Sequence, residues 1–131
     1  MIGDIMKKHV ITLEGKDNIR KALNLMSQTK INGAPVVDSE GKLSGMIVKA
    51  DIYRFLMEEG HYDTCPVDWV MSKEVITAKE KEHIIDVAGR LLQNDIVAIP
   101  VIDDKNKIQG IVCIEDILMY CIEKLNKCKK L

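Results

Sequence analysis

The sequence has few aromatic residues and no excess of charge of either sign. Only 4% of its 131 residues are Phe, Trp or Tyr, while 47% are hydrophobic, so a core must be built from aliphatic side chains and methionine. The chain has 19 basic and 20 acidic residues, for a net charge of −1. Proteins that bind duplex nucleic acid usually carry a basic stripe, so no nucleic-acid partner is predicted.

Paired cysteines, metal-ligand spacings and long apolar runs are also missing. The cysteines at positions 65, 113, 121 and 128 form no C-x-x-C pair, and the histidines are scattered. Neither a disulfide framework nor a metal site is expected, and free thiols predict a cytoplasmic location. No run approaches the ~20 apolar residues that span a bilayer, so no membrane contact is predicted. The absence of a Walker loop, an H-E-x-x-H motif and a Ser-His-Asp set predicts that the chain is not an enzyme.

What the chain does contain is an internal duplication. A shift of 65 positions aligns residues 3–53 with 68–118 without a gap, and about 16 of the 51 aligned positions are identical. Lys42, Gly45, Asp51 and Ile52 recur as Lys107, Gly110, Asp116 and Ile117. A copy of ~55 residues buries too little surface to be stable alone, so the two copies are expected to pack sheet against sheet around a pseudo-two-fold axis.

Each copy has the same series of predicted elements, β-α-β-β-α, which indicates a mixed α/β (α+β) fold. The helix is expected to open at Asp17 or Glu82, and Gly41 and Asn106 can take positive φ in the hairpin turns. The predicted strands are Val10–Thr12, Pro35–Val37 and Leu43–Val48 in the first copy, and Val75–Thr77, Pro100–Ile102 and Ile108–Cys113 in the second. The predicted boundaries are 1–58 for repeat 1, 59–67 for a polar linker, 68–126 for repeat 2 and 127–131 for a basic tail.

Three ordered motifs recur in one register: V-I-T, A-P-V-V-D (I-P-V-I-D in the second copy) and G-h-h-x-x-x-D. Together they resemble the CBS domain, named for cystathionine β-synthase. Two such domains in tandem resemble a Bateman module. The resemblance implies a regulatory module that binds AMP, ADP or ATP in clefts between the repeats, without an obligatory cofactor, and signals the ligand's level to a protein partner. Two alternatives stay open: a binder of S-adenosylmethionine or adenosine, and a structural association module with empty clefts.

The resemblance also implies site residues. Asp51 and Asp116, each near the start of a helix, would accept hydrogen bonds from ribose hydroxyls. The alternative is that both are ordinary helix N-caps. In the family each cleft takes its aspartate from one repeat and its base-contacting strands from the other. The further candidates are Lys49, Ile76, Thr77, Ala98, Ile99 and Pro100 for the Asp51 cleft, and Cys113, Ile11, Thr12, Gly33, Ala34 and Pro35 for the Asp116 cleft.

The chain departs from the family pattern at positions that meet a phosphate. Val48 and Cys113 stand where the family often has Ser or Thr, and Asn32 and Val97 replace a common Arg or His. Losing a hydrogen bond to a charged group costs about 1.5–3 kcal/mol, so weak phosphate binding is one expected consequence.

The charges of the two motifs predict a difference between the clefts. Lys49 is the only cation inside either G-to-D motif, and Glu115 adds a negative charge to the second. We therefore expect a phosphate-bearing ligand in the Asp51 cleft first, with the Asp116 cleft weak, empty or suited to a ligand without phosphate.

The last helix of each copy predicts a homodimer. Its apolar residues are Ile52, Phe55 and Leu56 in the first copy and Ile117, Leu118, Cys121, Ile122 and Leu125 in the second. Large contiguous apolar surfaces usually mark an interface, and a two-fold dimer is the commonest soluble assembly.

Overall fold

The computed structural model describes residues 1–129, which form two compact units. The first-repeat unit is Ile11–Val75, and the second-repeat unit is Met1–Val10 together with the chain from Ile76 onward. Residues 130 and 131 of the predicted tail lie outside the described residues. The described part of that tail, 127–129, is the end of a helix.

The elements of the first-repeat unit are strand β1 (Leu13–Glu14), helix α1 (Ile19–Thr29), strands β2 (Gly33–Val37) and β3 (Leu43–Val48), and helix α2 (Lys49–Leu56). Those of the second-repeat unit are helix α3 (Ile84–Gln93), strands β4 (Ala98–Ile102) and β5 (Ile108–Cys113), and helix α4 (Ile114–Lys129). The first sheet has the order β1-β2-β3, with β1 parallel and β3 antiparallel to β2, and β4 and β5 form an antiparallel pair. The mixed α+β class is confirmed.

Each unit contains a core of its own. The buried cluster of the first-repeat unit is Leu13, Ile19, Ala22, Met26, Ala34, Val36, Ile47, Ile52 and Val67. That of the second-repeat unit is Ile2, Met6, Ala78, Ile84, Val87, Leu91, Ile99, Val101 and Val112. Aliphatic residues and methionine fill both clusters, as the scarcity of aromatics predicts.

The boundaries of the two compact units, after Val10 and after Val75, differ from the predicted boundaries of the sequence repeats. The N-terminal segment lies in the second-repeat unit, where the backbone of Ile2 donates to the carbonyl of Glu82 (2.8 Å) and both Ile2 and Met6 are buried. The predicted linker, 59–67, lies wholly in the first-repeat unit, where the backbone of Val67 donates to the carbonyl of Asp17 (2.7 Å). Each segment before a repeat thus completes the core of the other copy. The boundaries at 58, 67 and 126 stay predictions about the sequence repeat.

The second strand of each hairpin has the predicted bounds, and the turns explain why. The Asp38 Oδ1 atom accepts from the backbone of Glu40 (2.8 Å) and Lys42 (3.0 Å), which closes an Asx turn before β3. Asp103 makes the equivalent bonds before β5. Gly41 has φ +80° and Asn106 has φ +65°, so the predicted positive φ is confirmed at both.

The short first strand lies later than predicted in both copies. Strand β1 is Leu13–Glu14 rather than Val10–Thr12, because Leu13 is the residue whose side chain enters the core beside its partner Val36. In the second copy Val75–Thr77 forms no strand. The pairing there is a single parallel bridge from Ala78 to Val101.

The recurring glycines lie where a second segment crosses the hairpin. A Cβ atom at Gly110 would stand 2.5 Å from the Met6 sulfur and 2.8 Å from the Lys7 carbonyl oxygen. At Gly45 it would stand 2.7 Å from both the Met71 sulfur and the Ser72 carbonyl oxygen. Only glycine admits this approach, so the repeated residue serves chain packing within each unit.

Candidate ligand-binding site

Asp116 lies at the junction of strand β5 and helix α4, as the third residue of the helix. Its Oδ2 atom accepts a hydrogen bond from the backbone N–H of Cys113 (2.8 Å). Its side chain is 14% exposed. The carboxylate therefore satisfies a backbone donor of its own helix start from the third position, as in half of a capping box.

Lys7 comes to the same carboxylate from the N-terminal segment. Its Nζ atom lies 3.9 Å from Asp116 Oδ1, and its side chain is 59% exposed. Burial raises the pKa of the neighbouring Cys113 thiol; the charge of Asp116 raises it further, and the charge of Lys7 lowers it. The second-repeat unit thus brings together the thiol of Cys113, the carboxylate of Asp116 and the ammonium of Lys7.

Asp51 is the third residue of helix α2 and has a different partner. Its Oδ1 atom pairs with the guanidinium of Arg54, one turn further along the same helix. The side chain of Asp51 is 34% exposed. Lys49, the first residue of the helix, uses its backbone N–H to bond the carbonyl of Asn32 (2.7 Å). The helix α4 start is held in the same way, by Ile114 donating to the carbonyl of Val97 (3.0 Å).

Neither aspartate is an N-cap residue, contrary to the alternative reading of the sequence. The N-cap of α2 is Val48, and the residue before α4 is Cys113. The reason is that both helices begin directly at the end of a strand, two residues before the aspartate. Asp116 still caps the start of helix α4, because its Oδ2 atom accepts from the backbone N–H of Cys113. Its other carboxylate oxygen, Oδ1, faces Lys7.

The predicted base-contacting residues differ in what they can offer a ligand. Ala34 and Ile99 belong to the buried clusters of their own units, and Pro35 and Pro100 are also buried. Ile11, Gly33, Ile76, Thr77 and Ala98 are half-buried, and Thr12 is exposed. Each predicted set takes residues from both units, and its assembly into one cleft stays a prediction.

Two backbone acceptors of these segments are already bonded inside the second-repeat unit. The carbonyl of Thr77 accepts from the guanidinium of Arg90 (2.8 Å), and that of Pro100 accepts from the backbone of Ala78 (3.0 Å). Arg90 also binds both carboxylate oxygens of Glu82, at 2.6 and 3.0 Å. Hydrogen bonds from Arg90 hold the pKa of Glu82 below its usual range, although burial opposes the shift.

Sequence reasoning missed Lys7 and Arg54, the two cations beside the predicted ribose carboxylates. Arg54 follows Asp51 at helical spacing and could have been found from that pattern alone. Lys7 has no such local signal, because its approach depends on the N-terminal segment joining the second-repeat unit. Lys7 therefore adds a cation beside Asp116 that lies outside both G-to-D motifs, and which cleft takes a phosphate-bearing ligand first stays a prediction.

All four cysteines are free thiols. Within residues 1–129, no group of three His, Cys, Asp or Glu side chains is arranged to hold a metal ion. No helix in this described part of the chain has the length and apolar character to cross a membrane.

Comparison with known proteins places these features in a family. The family model of the CBS domain matches residues 2–58 and again residues 67–123. Relatives from Methanocaldococcus jannaschii include two enzymes. An L-aspartate semialdehyde sulfurtransferase is 34% identical over 117 residues, and an inosine-5′-monophosphate dehydrogenase is 35% identical over 115. The matches cover 89% and 88% of this chain but 22% of each relative.

Solved structures agree in fold. The CBS domain pair of protein MJ0100, in complex with 5′-methylthioadenosine and S-adenosyl-L-methionine, has a TM-score of 0.86 and 33% identity, covering 95% of this chain and 97% of that one. The structure of CBSX2 in complex with AMP has a TM-score of 0.85, covering 93% and 96%, and its 22% identity shows the fold alone. The chain therefore belongs to the CBS domain family and carries two CBS domains in tandem, as in a Bateman module.

Proposed function

We propose that the chain is a regulatory module that binds an adenosine-containing small molecule through Asp51 and Asp116. One observation carries the proposal: both copies place a carboxylate at the third residue of the helix that follows a hairpin strand. A carboxylate at such a junction can accept two hydrogen bonds from the vicinal hydroxyls of a ribose, as acidic residues do in dinucleotide sites.

The MJ0100 domain pair supports the adenosine class. It covers almost the same length of chain at 33% identity, and both of its ligands contain adenosine. We retain the nucleotides AMP, ADP and ATP as the first candidates and S-adenosylmethionine or adenosine as the alternative. The two classes differ in the charge they carry beyond the ribose, which makes them separable by titration.

We propose further that the module regulates and does not catalyse. The chain spans about a fifth of the length of the enzymes named above, so their reactions are not carried over to it. A regulatory role needs a partner that responds to the ligand, and we infer a protein partner. The free cysteines are compatible with the cytoplasmic location expected from the sequence.

An association module is the second candidate, and one observation favours it. Helix α4 exposes Leu118, Met119, Ile122 and Leu125, each to more than half of its surface. A stripe of this kind on one helix fits a second copy of the chain, so we propose a homodimer whether or not ligand binds.

A thermal-shift series distinguishes the two candidates. AMP, ADP, ATP, adenosine and S-adenosylmethionine are each added at millimolar concentration to the purified chain. A ligand at a hundredfold excess over its Kd stabilises the native state by about 2.7 kcal/mol. That corresponds to a rise in Tm of roughly 10 °C for a chain of this size. A rise with at least one ligand supports the proposal, and an unchanged Tm with all five favours the association module.

A further inference from the structure

We propose that Lys7 makes the Asp116 side of the site selective for adenosine ligands that carry a negative charge. The inference rests on the proposed function, because it assumes that Asp116 binds the ribose. In the structure the Lys7 ammonium stands beside Asp116 Oδ1. With ligand bound, it turns to the phosphate or other anionic group attached to the same ribose.

The backbone of Lys7 is fixed although its side chain is exposed. Its N–H donates to the carbonyl of Ile111 (2.9 Å), and its carbonyl accepts from the N–H of Ile111 (3.0 Å). Gly110 makes this approach possible, since a Cβ atom there would stand 2.8 Å from the Lys7 carbonyl oxygen. The fixed backbone therefore keeps the Lys7 ammonium close to Asp116, while the exposed side chain can still move to a different acceptor.

The distance between the two charges favours such an exchange. At 3.9 Å, Lys7 Nζ lies beyond the 2.7–3.2 Å range of a direct hydrogen bond to Asp116 Oδ1. Because the Lys7 side chain is 59% exposed, the ion pair contributes little to stability, and its loss costs little. An ammonium group has three donors and no acceptor, and an anionic ligand group gives it a stronger partner.

The first-repeat unit has no charged side chain at the position equivalent to Lys7. The residue equivalent to Lys7 is Ser72, whose backbone makes the same bridge to Met46 at 2.8 and 2.9 Å. Ser72 carries no charge, and the carboxylate of Asp51 pairs instead with Arg54 of its own helix. The two copies therefore share the same backbone bridge at this crossing, but the residue that makes it is charged only in the second-repeat unit.

Glu115 works against Lys7. It is the second residue of helix α4 and is exposed to solvent. Solvent screening weakens its repulsion of an anion, whereas the Lys7 ammonium can touch the anion directly. We therefore expect the preference for negative charge to be moderate.

Calorimetric titration with AMP and with adenosine tests the inference. Both probes are titrated into the full chain and into Asp51→Ala, in which the Asp116 side dominates the signal. In the Asp51→Ala background, Lys7→Met should weaken AMP about threefold to tenfold and leave adenosine within about twofold. Lys8→Met, at the next exposed lysine, is the matched control and should leave both affinities unchanged.

The outcomes separate this inference from the proposed function. If the Asp51→Ala protein binds both probes and Lys7→Met leaves the ratio of their affinities unchanged, the inference is overturned and the proposed function stands. Loss of all binding in Asp51→Ala, when the full chain binds, also overturns it. Failure of both AMP and adenosine to bind the full chain overturns the inference, and failure of all five ligands of the thermal-shift series overturns the proposed function as well.

Discussion

Gly45 and Gly110 show how one residue type can determine chain packing. Each lies in the second strand of a hairpin, and each is crossed by a methionine and the residue after it. At these two positions the repeat is explained by contacts within the protein, before any ligand is considered. The sequence predicts that a backbone comes close at these glycines, but not which segment does so.

A Gly110→Ala substitution should therefore destabilise the protein. Its Cβ atom would overlap the Met6 sulfur and the Lys7 carbonyl, and overpacking of this kind costs about 1–3 kcal/mol. Urea denaturation measures the free energy of unfolding. Gly89→Ala in helix α3 is the control: its Cβ atom would meet no atom within 4 Å, so it should stabilise by about 0.5–1 kcal/mol. Equal stability of Gly110→Ala and the unsubstituted chain would contradict the packing seen here.

Helix α3 is connected to the preceding segment by its Glu82–Arg90 pair. Arg90 bonds both oxygens of Glu82 and the carbonyl of Thr77, while Glu82 also accepts from the backbone of Lys79 (2.9 Å). Both side chains of the pair are less than one third exposed. Through Arg90, the pair therefore connects the body of helix α3 to Glu82, just before the helix, and to Thr77, one of the predicted ligand-contacting residues.

Replacing Glu82 should make stability less sensitive to acid. The pKa of Glu82 is lowered in the folded state from an ordinary value of 4.5. The unfolded chain then binds more protons, so the contribution is complete above about pH 4.5 and is lost as the pH falls through the lowered pKa. Glu82→Gln should cost about 1 kcal/mol at pH 7 and progressively less below pH 4.5.

Urea titrations at several pH values measure this dependence. Glu80→Gln, at an exposed glutamate two residues away, is the control and should match the unsubstituted chain throughout. A cost of Glu82→Gln that stays constant from pH 7 to pH 3 would contradict the linkage.

Elements could be predicted from the sequence where their signals are local. Strands β3 and β5 have their predicted bounds because an aspartate turn fixes each hairpin. Strand β1 was misplaced because its position depends on which residue reaches the core beside Val36. The same limit applies to the site: Arg54 follows Asp51 by one helical turn, whereas Lys7 reaches Asp116 only through the tertiary fold.

The apolar surface of the last helices is smaller than the sequence suggests. Ile52 is fully buried, and Phe55, Leu56 and Ile117 pack against the cores of their units. The exposed apolar residues are Tyr53 within helix α2, Met57 just after it, and Leu118, Met119, Ile122 and Leu125 on helix α4. The proposed interface therefore lies mainly along α4, which continues beyond the last core contact at Tyr120.

Light scattering at micromolar concentration should give a mass about twice the 14.8 kDa of the chain. Ile122→Glu places a charge within the exposed α4 stripe and should convert the dimer to a monomer. Its Tm should fall only by the amount that dissociation of the dimer causes. Ile85→Glu, on the exposed face of helix α3, is the control and should leave the dimer intact. A monomeric mass for the unsubstituted chain would contradict the proposal.

The proposed binding of one class of ligand depends on the carboxylates of Asp51 and Asp116, which accept hydrogen bonds from its ribose. Calorimetric titration with AMP, adenosine and S-adenosylmethionine tests this directly, using the unsubstituted chain and the double variant Asp51→Ala/Asp116→Ala. We expect at least one ligand to bind the unsubstituted chain. The double variant, still folded by circular dichroism, should bind that ligand at least a hundredfold more weakly, because charged hydrogen bonds are lost. Unchanged binding by the double variant, or no binding of any of the three ligands to the unsubstituted chain, would contradict the proposed role of the two carboxylates.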